Sequence, residues 1–262
     1  MELKNIVLIG SGNLATNLAI AFHKIGINIS CIYSRNEAHA RQLAQKVNAP
    51  STNQLKEIPW IADLYLIAVS DAAIHQVVAE LSDCKGLFAH TSGSIDVSVF
   101  ADIVSDYGVF YPLMNFSATT VMDFENIPLC IEANTDENQK ALEILAHLLS
   151  NKVQFLNSSD RKIVHLAAVF ACNFTNMNYI IAEEILSQNN ISFDLLRPLM
   201  LETATKAQHN SPRLLQTGPA MREDIPVIEA HLNLLKSNPA YKEIYTLMTE
   251  NIQQLKHENK KL

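Results

Sequence analysis

The chain has 262 residues, 48% of them hydrophobic, which suits one large domain plus a smaller one, each with a real core. Its 20 basic and 27 acidic residues give a formal charge of -7 and no cationic stripe apart from the terminal KHENKKL, which argues against nucleic acid as a partner. Cys31, Cys84, Cys130 and Cys172 lie far apart with no Cys-x-x-Cys spacing, so neither a disulfide framework nor a metal site is expected. No stretch reaches the roughly 18 apolar residues of a membrane span, and MELKN leads into a strand rather than a signal segment. The expected setting is the cytoplasm, away from membranes.

From residue 1 to 157, short apolar runs alternate with helical patterns: NIVLIG, NLATNLAIAFHKIG, INISCIY, NEAHARQLAQKV, LYLIAV, AAIHQVVAEL, GLFAHT, GVFYPL, IPLCIEA, ENQKALEILAHLLS and KVQFL. Runs such as LYLIAV lack polar alternation, as strands buried on both faces of a parallel sheet do. Residues 1–157 are therefore expected to form an α/β domain with a doubly wound, mostly parallel sheet. Beyond residue 158 the strand runs stop, and the remaining patterns have helical period. Residues 158–262 are expected to form an all-α domain, opening with a long helix broken near Asn173.

Gly10-Ser11-Gly12-Asn13-Leu14-Ala15 matches G-x-G-x-x-(G/A) between an apolar strand and a helical pattern, the context this fingerprint requires. Gly10 would make the tight turn, Gly12 would admit a pyrophosphate, and Ala15 would let helix pack on strand. The helix N-terminus would meet the phosphates. The first domain is thus expected to be of Rossmann type and to bind a dinucleotide, the other reading being a bare tight turn from strand to helix. The second strand ends in Ser34-Arg35-Asn36, where an NAD site would carry an acidic residue. A hydroxyl and a guanidinium suit a 2′-phosphate, which places NADP(H) ahead of NAD(H), with a solvated residue near Glu37 as the other reading of Arg35.

Ligands of open α/β sheets sit beyond the carboxyl ends of the strands. Val69-Ser70-Asp71 follows one run, His90-Thr91-Ser92-Gly93-Ser94 the next, and Tyr111-Pro112-Leu113-Met114-Asn115 the third. Val69, Ser70 and Asp71 join the cofactor contacts, with a helix N-cap as the other reading of Asp71. His90 and Tyr111 are candidates for proton transfer or for structural roles. In HLAAVFACNFTN, His165, Val169, Cys172 and Asn176 share a helical stripe with Asn173 beside it, so His165 and Asn173 either serve a substrate or are satisfied inside the protein core. QTGPA with Arg222 and Asp224 reads as a Gly-Pro turn before an Asp-initiated helix.

GSGNLATNLA, YSRN, AVSDAAI, HTSGS, GVFYPL, HLAAVFACNFTN, LLRPL, ETA and QTGPAMRED occur in that order over nearly the whole chain. The chain so resembles the uncharacterised family of Rossmann-like NADP-binding oxidoreductases with a C-terminal domain of unknown function. That arrangement is similar to pyrroline-5-carboxylate reductase, 6-phosphogluconate and β-hydroxyacid dehydrogenases, and a deazaflavin-dependent NADP reductase. The resemblance implies a homodimer joined through the C-terminal helices and a small-molecule site in an interdomain cleft. It departs at one position: aligning the Asn of β-hydroxyacid dehydrogenases with Asn173 puts Val169 where their catalytic Lys stands. Two functions follow, an NADP(H)-dependent oxidoreductase acting on a small carbonyl or imine through His165, Asn173, His90 and Tyr111, or a non-catalytic NADP(H) sensor. Reduction of a flavin or deazaflavin partner is a third reading, by analogy of fold.

Overall fold

In the computed structural model, residues 2–117 and 120–259 are described. Eight strands build one sheet: β1 (Asn5–Ile9), β2 (Asn28–Tyr33), β3 (Ser51–Thr52), β4 (Ile61–Ile67), β5 (Lys85–His90), β6 (Tyr107–Pro112), β7 (Leu129–Ala133) and β8 (Val153–Phe155). Their order is β3-β2-β1-β4-β5-β6-β7-β8, parallel throughout except for the antiparallel pair β6 and β7. The order reverses at β1, between β2 and β4. That reversal opens the crevice in which doubly wound sheets bind ligands.

The unbroken apolar strands follow from burial on both faces. Ile6 and Leu8 enter one core with Leu64 and Leu66, while Val7 and Ile9 enter the opposite core with Tyr65 and Ile67. Successive side chains point to opposite faces, so a strand covered on both sides has no position left for a polar residue. The covering helices are α1 (Asn13–Lys24), α2 (Glu37–Val47), α3 (Ile74–Ala79) and α4 (Asp136–Leu149). The buried faces of α1, α2 and α4 join the first core, and Ile74 and Val78 of α3 join the second. Asn36 and Thr135 start α2 and α4 by accepting from the N–H of His39 and Asn138, the capping role expected of such residues.

The chain divides into two compact units at Asn173 and Phe174, further along than the residue 157/158 boundary at which the strand pattern stops. The reason lies in α5 (Ser158–Ala168), which is bound to the sheet domain by polar contacts. Arg161, wholly buried, pairs with Glu132 of β7 and donates to the carbonyl of Ile95. Ser158 Oγ donates to Glu132 and accepts from the N–H of Val97, and Lys162 pairs with Asp96. Unpairing a buried ion pair costs about 3–5 kcal/mol, so this clasp commits α5 to the first unit.

After α5 the helical run widens into a π turn over Val169–Phe174, where the sequence places a break, and resumes as α6 (Thr175–Ser187). The second unit continues with α7 (Arg197–His209), α8 (Pro212–Leu215), α9 (Pro219–Arg222), α10 (Ile225–Leu234) and α11 (Pro239–Asn259). Its described residues contain no strand, in line with the all-α expectation. Gly218 precedes α9 at a φ of 106°, and Asp224 caps α10, the punctuation QTGPAMRED announces. No helix among the described residues is long and apolar enough to cross a membrane.

Candidate active site

The turn from β1 into α1 shows why its two glycines differ. Gly10 has a φ of 126°, and a Cβ there would lie 2.1 Å from the carbonyl oxygen of Ala68, at the end of β4. At Gly12 a Cβ would meet nothing within 4 Å. One glycine lets two strands close together, and the other leaves space for something outside the protein. Gly12 is the N-cap of α1 without a side-chain cap, and the first turn holds no acidic residue. The first amides of a helix have no internal partner, so this end offers N–H groups and positive potential to an anion.

A cavity of about 670 Å³ opens there. Its walls include Gly10, Ser11, Gly12, Asn13, Leu14 and Ala15 from the turn, Ser34 and Arg35 after β2, and Val69, Ser70 and Asp71 after β4. Every residue assigned to the cofactor from the sequence therefore lines one space. Ser11 Oγ donates to Ser34 Oγ at 2.8 Å, tying the loops after β1 and β2. Arg35 is exposed at this wall, and Glu37, the acidic residue two positions on, pairs with Arg41 at 2.6 Å. The cavity fits an NAD(P) nucleotide: it is roomy, bare at Gly12 and lined by a helix N-terminus.

A second cavity, of about 470 Å³, shares Asp71, Thr91 and Ser92 with the first. Tyr111, at the end of β6, reaches His165 of α5 across it, hydroxyl to Nδ1 at 3.1 Å, with the rings edge-on. Burial pushes the Tyr111 phenol up to about 12, so it carries its proton at neutral pH. Gly93 makes the pair possible: a Cβ there would stand 2.7 Å from His165 Nδ1 and 2.9 Å from Tyr111 Cζ. The π turn brings Val169, Cys172 and Asn173 into the same wall, and such turns often mark functional sites. Asn176, placed with them by helical spacing, is not in this wall.

Of its two readings, His90 takes the structural one. It lines neither cavity and is fully buried against Phe100, because its place at the end of β5 turns the ring into the core. Its Nδ1 accepts from the N–H of Ser92 at 3.1 Å, which fixes the backbone carrying Ser92 and Gly93. Burial first, and the Arg161 charge second, push its pKa down to about 4. His90 is thus a neutral support beneath the site. Asp71 likewise is no helix cap, since Ser70 holds that position over a short turn, and the Asp71 carboxylate accepts from Ser94 Oγ at 2.5 Å.

Comparison with known proteins agrees with this geometry. The family described as NADP oxidoreductase coenzyme F420-dependent matches residues 5–92, and a domain of unknown function, DUF2520, matches residues 127–252. BF3122 of Bacteroides fragilis, a candidate NADP oxidoreductase, is 44% identical, with a TM-score of 0.92 over 97% of this chain and 98% of that one. The chain belongs to the Rossmann-fold NADP-binding oxidoreductases with an all-helical C-terminal domain. TM1727 of Thermotoga maritima (22% identity, TM-score 0.77, 94% and 98% of the two chains) shares the fold. So does an imine reductase of Myxococcus stipitatus in complex with NADP+ (14%, 0.70, 95% and 93%). No curated protein matches the chain.

For this member of the family, several residues around the site gave no sign of their role in the sequence. Asn17 is buried in α1, where its amide donates to the carbonyls of Asn13 and Ser117 and its oxygen accepts from Met122 N–H. Asn13 also holds the carbonyl of Phe116, so the first turn of α1 anchors the loop that carries Met114 and Asn115 into the second cavity. The one local signal was an Asn on the apolar face of an amphipathic helix, four residues after another Asn. Arg161 and Glu132 gave none, because each looks like a surface charge until the other is opposite it.

Proposed function

We propose that this oxidoreductase uses NADP(H), in preference to NAD(H), to reduce a small carbonyl or imine compound in the cavity beside Tyr111 and His165. The observation that carries this reading is the continuity of the two cavities through Asp71, Thr91 and Ser92, with a protonated phenol and an imidazole in the second. The main-chain amides of Ser11 to Ala15 would hold the diphosphate, and Ser34 and Arg35 a 2′-phosphate. When bound, the reduced nicotinamide supplies a hydride. The protein supplies the proton. Tyr111 donates from a hydroxyl aligned by His165, which can take up a proton from solvent in its place. Asn173 offers an amide to orient the substrate, while Leu113 and Val169 limit water. Val169 makes the usual lysine of β-hydroxyacid dehydrogenases unavailable, so proton transfer rests on the Tyr111 and His165 pair.

That same Val169 favours the second reading, a non-catalytic NADP(H) sensor. Titration of the protein with NADPH, followed by NADPH absorbance against a panel of cyclic imines, ketones and oxo acids, separates the two. Turnover that falls sharply in His165→Ala is expected. Cofactor binding with no turnover across the panel would favour the sensor. We propose further that two copies pair through the second unit, where α6 and α7 bury no residue and Leu195, Leu199, Leu201 and Leu214 are exposed. Sedimentation at micromolar concentration is expected to show a dimer, and a monomer would rule this out.

A further inference from the structure

Among the described residues, the lining of the second cavity has one carboxylate and no lysine or arginine to oppose it. Its ionisable side chains are Asp71, Tyr111, His165 and Cys172, with no lysine or arginine among the lining residues. The nearby guanidinium of Arg161 is engaged by Glu132 and the Ile95 carbonyl and does not line the space. Asp71 is held by Ser94, whose own N–H is fixed on Ser92 Oγ at 3.1 Å. Its Oδ1 has no hydrogen bond among the described residues, although the side chain is exposed at the junction of the cavities. A carboxylate held by one oxygen, with the other free, suits a cationic N–H group and repels a second anion.

We propose that the substrate of this cavity is a cationic nitrogen compound, a protonated imine that becomes an amine, with Asp71 as the residue that selects its charge and turns away oxo acids. This rests on the reading of the cavity as the substrate site. The balance closes with NADPH as reductant. The iminium carbon gains a hydride, the C=N π pair becomes the nitrogen lone pair, and NADPH becomes NADP+. An imine that arrives neutral gains its proton first, from Tyr111, and His165 returns one from solvent. Most of the remaining wall is apolar or small, Leu113, Met114, Ala168 and Val169 included, which fits a compact hydrocarbon frame around that nitrogen.

The test is calorimetric binding to the NADP+-loaded protein of two unreactive probes of similar shape, piperidine in its cationic form and cyclohexanecarboxylate. Piperidine is expected to bind at least tenfold tighter, and Asp71→Asn to erase that preference with its melting temperature retained, both probes being titrated at saturating NADP+ so that any change in cofactor affinity is read separately. Equal binding of the two probes, tighter binding of the carboxylate, or an unchanged preference in Asp71→Asn would overturn charge selection and leave the wider reading standing. A change confined to NADP+ against NADPH affinity would also overturn it, giving Asp71 to the nicotinamide. Failure of both probes to bind beside bound NADP+ would remove the cavity's role as a substrate site as well.

Discussion

The Tyr111 hydroxyl lies 3.1 Å from Nδ1 of His165, a residue 54 positions away, and the absent side chain of Gly93 gives both rings their room. Removing the phenol should therefore remove the proton source without disturbing the nucleotide cavity. On a carbonyl or imine that arrives neutral, Tyr111→Phe is expected to lower kcat on the order of 100-fold, a usual share for general acid catalysis, with NADPH affinity unchanged. Gly93→Ala should act in the same direction by pushing the rings apart. Steady-state kinetics with fluorescence titration of NADPH checks both, and a loss of cofactor affinity equal to the loss of kcat would contradict this assignment.

Gly10 and Gly12 should fail in different ways. A methyl at position 10 has to move the Ala68 carbonyl and occupy a φ of 126°, so Gly10→Ala is expected to cost at least ~2 kcal/mol of stability. Gly12→Val places its side chain in open space and should stay within about 1 kcal/mol of the parent, while NADPH affinity falls by an order of magnitude or more. Thermal melts and titrations of the two variants read the contrast directly.

Arg35 is exposed on the nucleotide cavity, with Glu37 already paired to Arg41. If it meets a 2′-phosphate, Arg35→Gln should reduce the preference for NADPH over NADH by roughly 10- to 100-fold, the value of about 1.5–3 kcal/mol for a charged hydrogen bond. NADH affinity should barely move. An unchanged ratio would give the cofactor preference to some other feature.

His90 ties stability to pH. Its pKa falls from 6.5 in the unfolded chain to about 4 in the fold, because burial and Arg161 both oppose its charge. The stability it carries is complete above pH 6.5 and is lost as the pH drops towards 4, where only the unfolded chain takes up the proton. That loss amounts to about 3 kcal/mol. Urea unfolding between pH 7 and 4 should show this slope, and His90→Phe should flatten it. A slope identical in the variant would assign acid sensitivity elsewhere.

Much of the first unit could be read from its letters. Strands such as LYLIAV announce burial on two faces, and all seven longer strands lie where apolar runs stand; only the two-residue β3 and the reversed direction shared by β7 and β8 went unread. The fingerprint was equally legible, since a turn followed by a helix is built from neighbours in sequence. Tyr111 and His165 were read as candidates separately, and His90 was put in the site because it follows a strand. Only the direction of its ring, into the core towards Phe100, removes it.

By itself, then, the sequence determined a nucleotide-binding sheet, the loops at its carboxyl edge and the helical character of the second unit. These depend on local periodicity and on backbone freedom at single glycines. The tertiary structure alone decided that Arg161 is buried against Glu132 and carries α5 into the first unit, that Gly93 yields its space to two rings, and that Asp71 meets no lysine or arginine among the described residues lining its cavity. Each of these is a pairing, or the lack of one, between residues far apart in the chain. Charge, burial and close approach are properties of such neighbours in space, and folding is what chooses them.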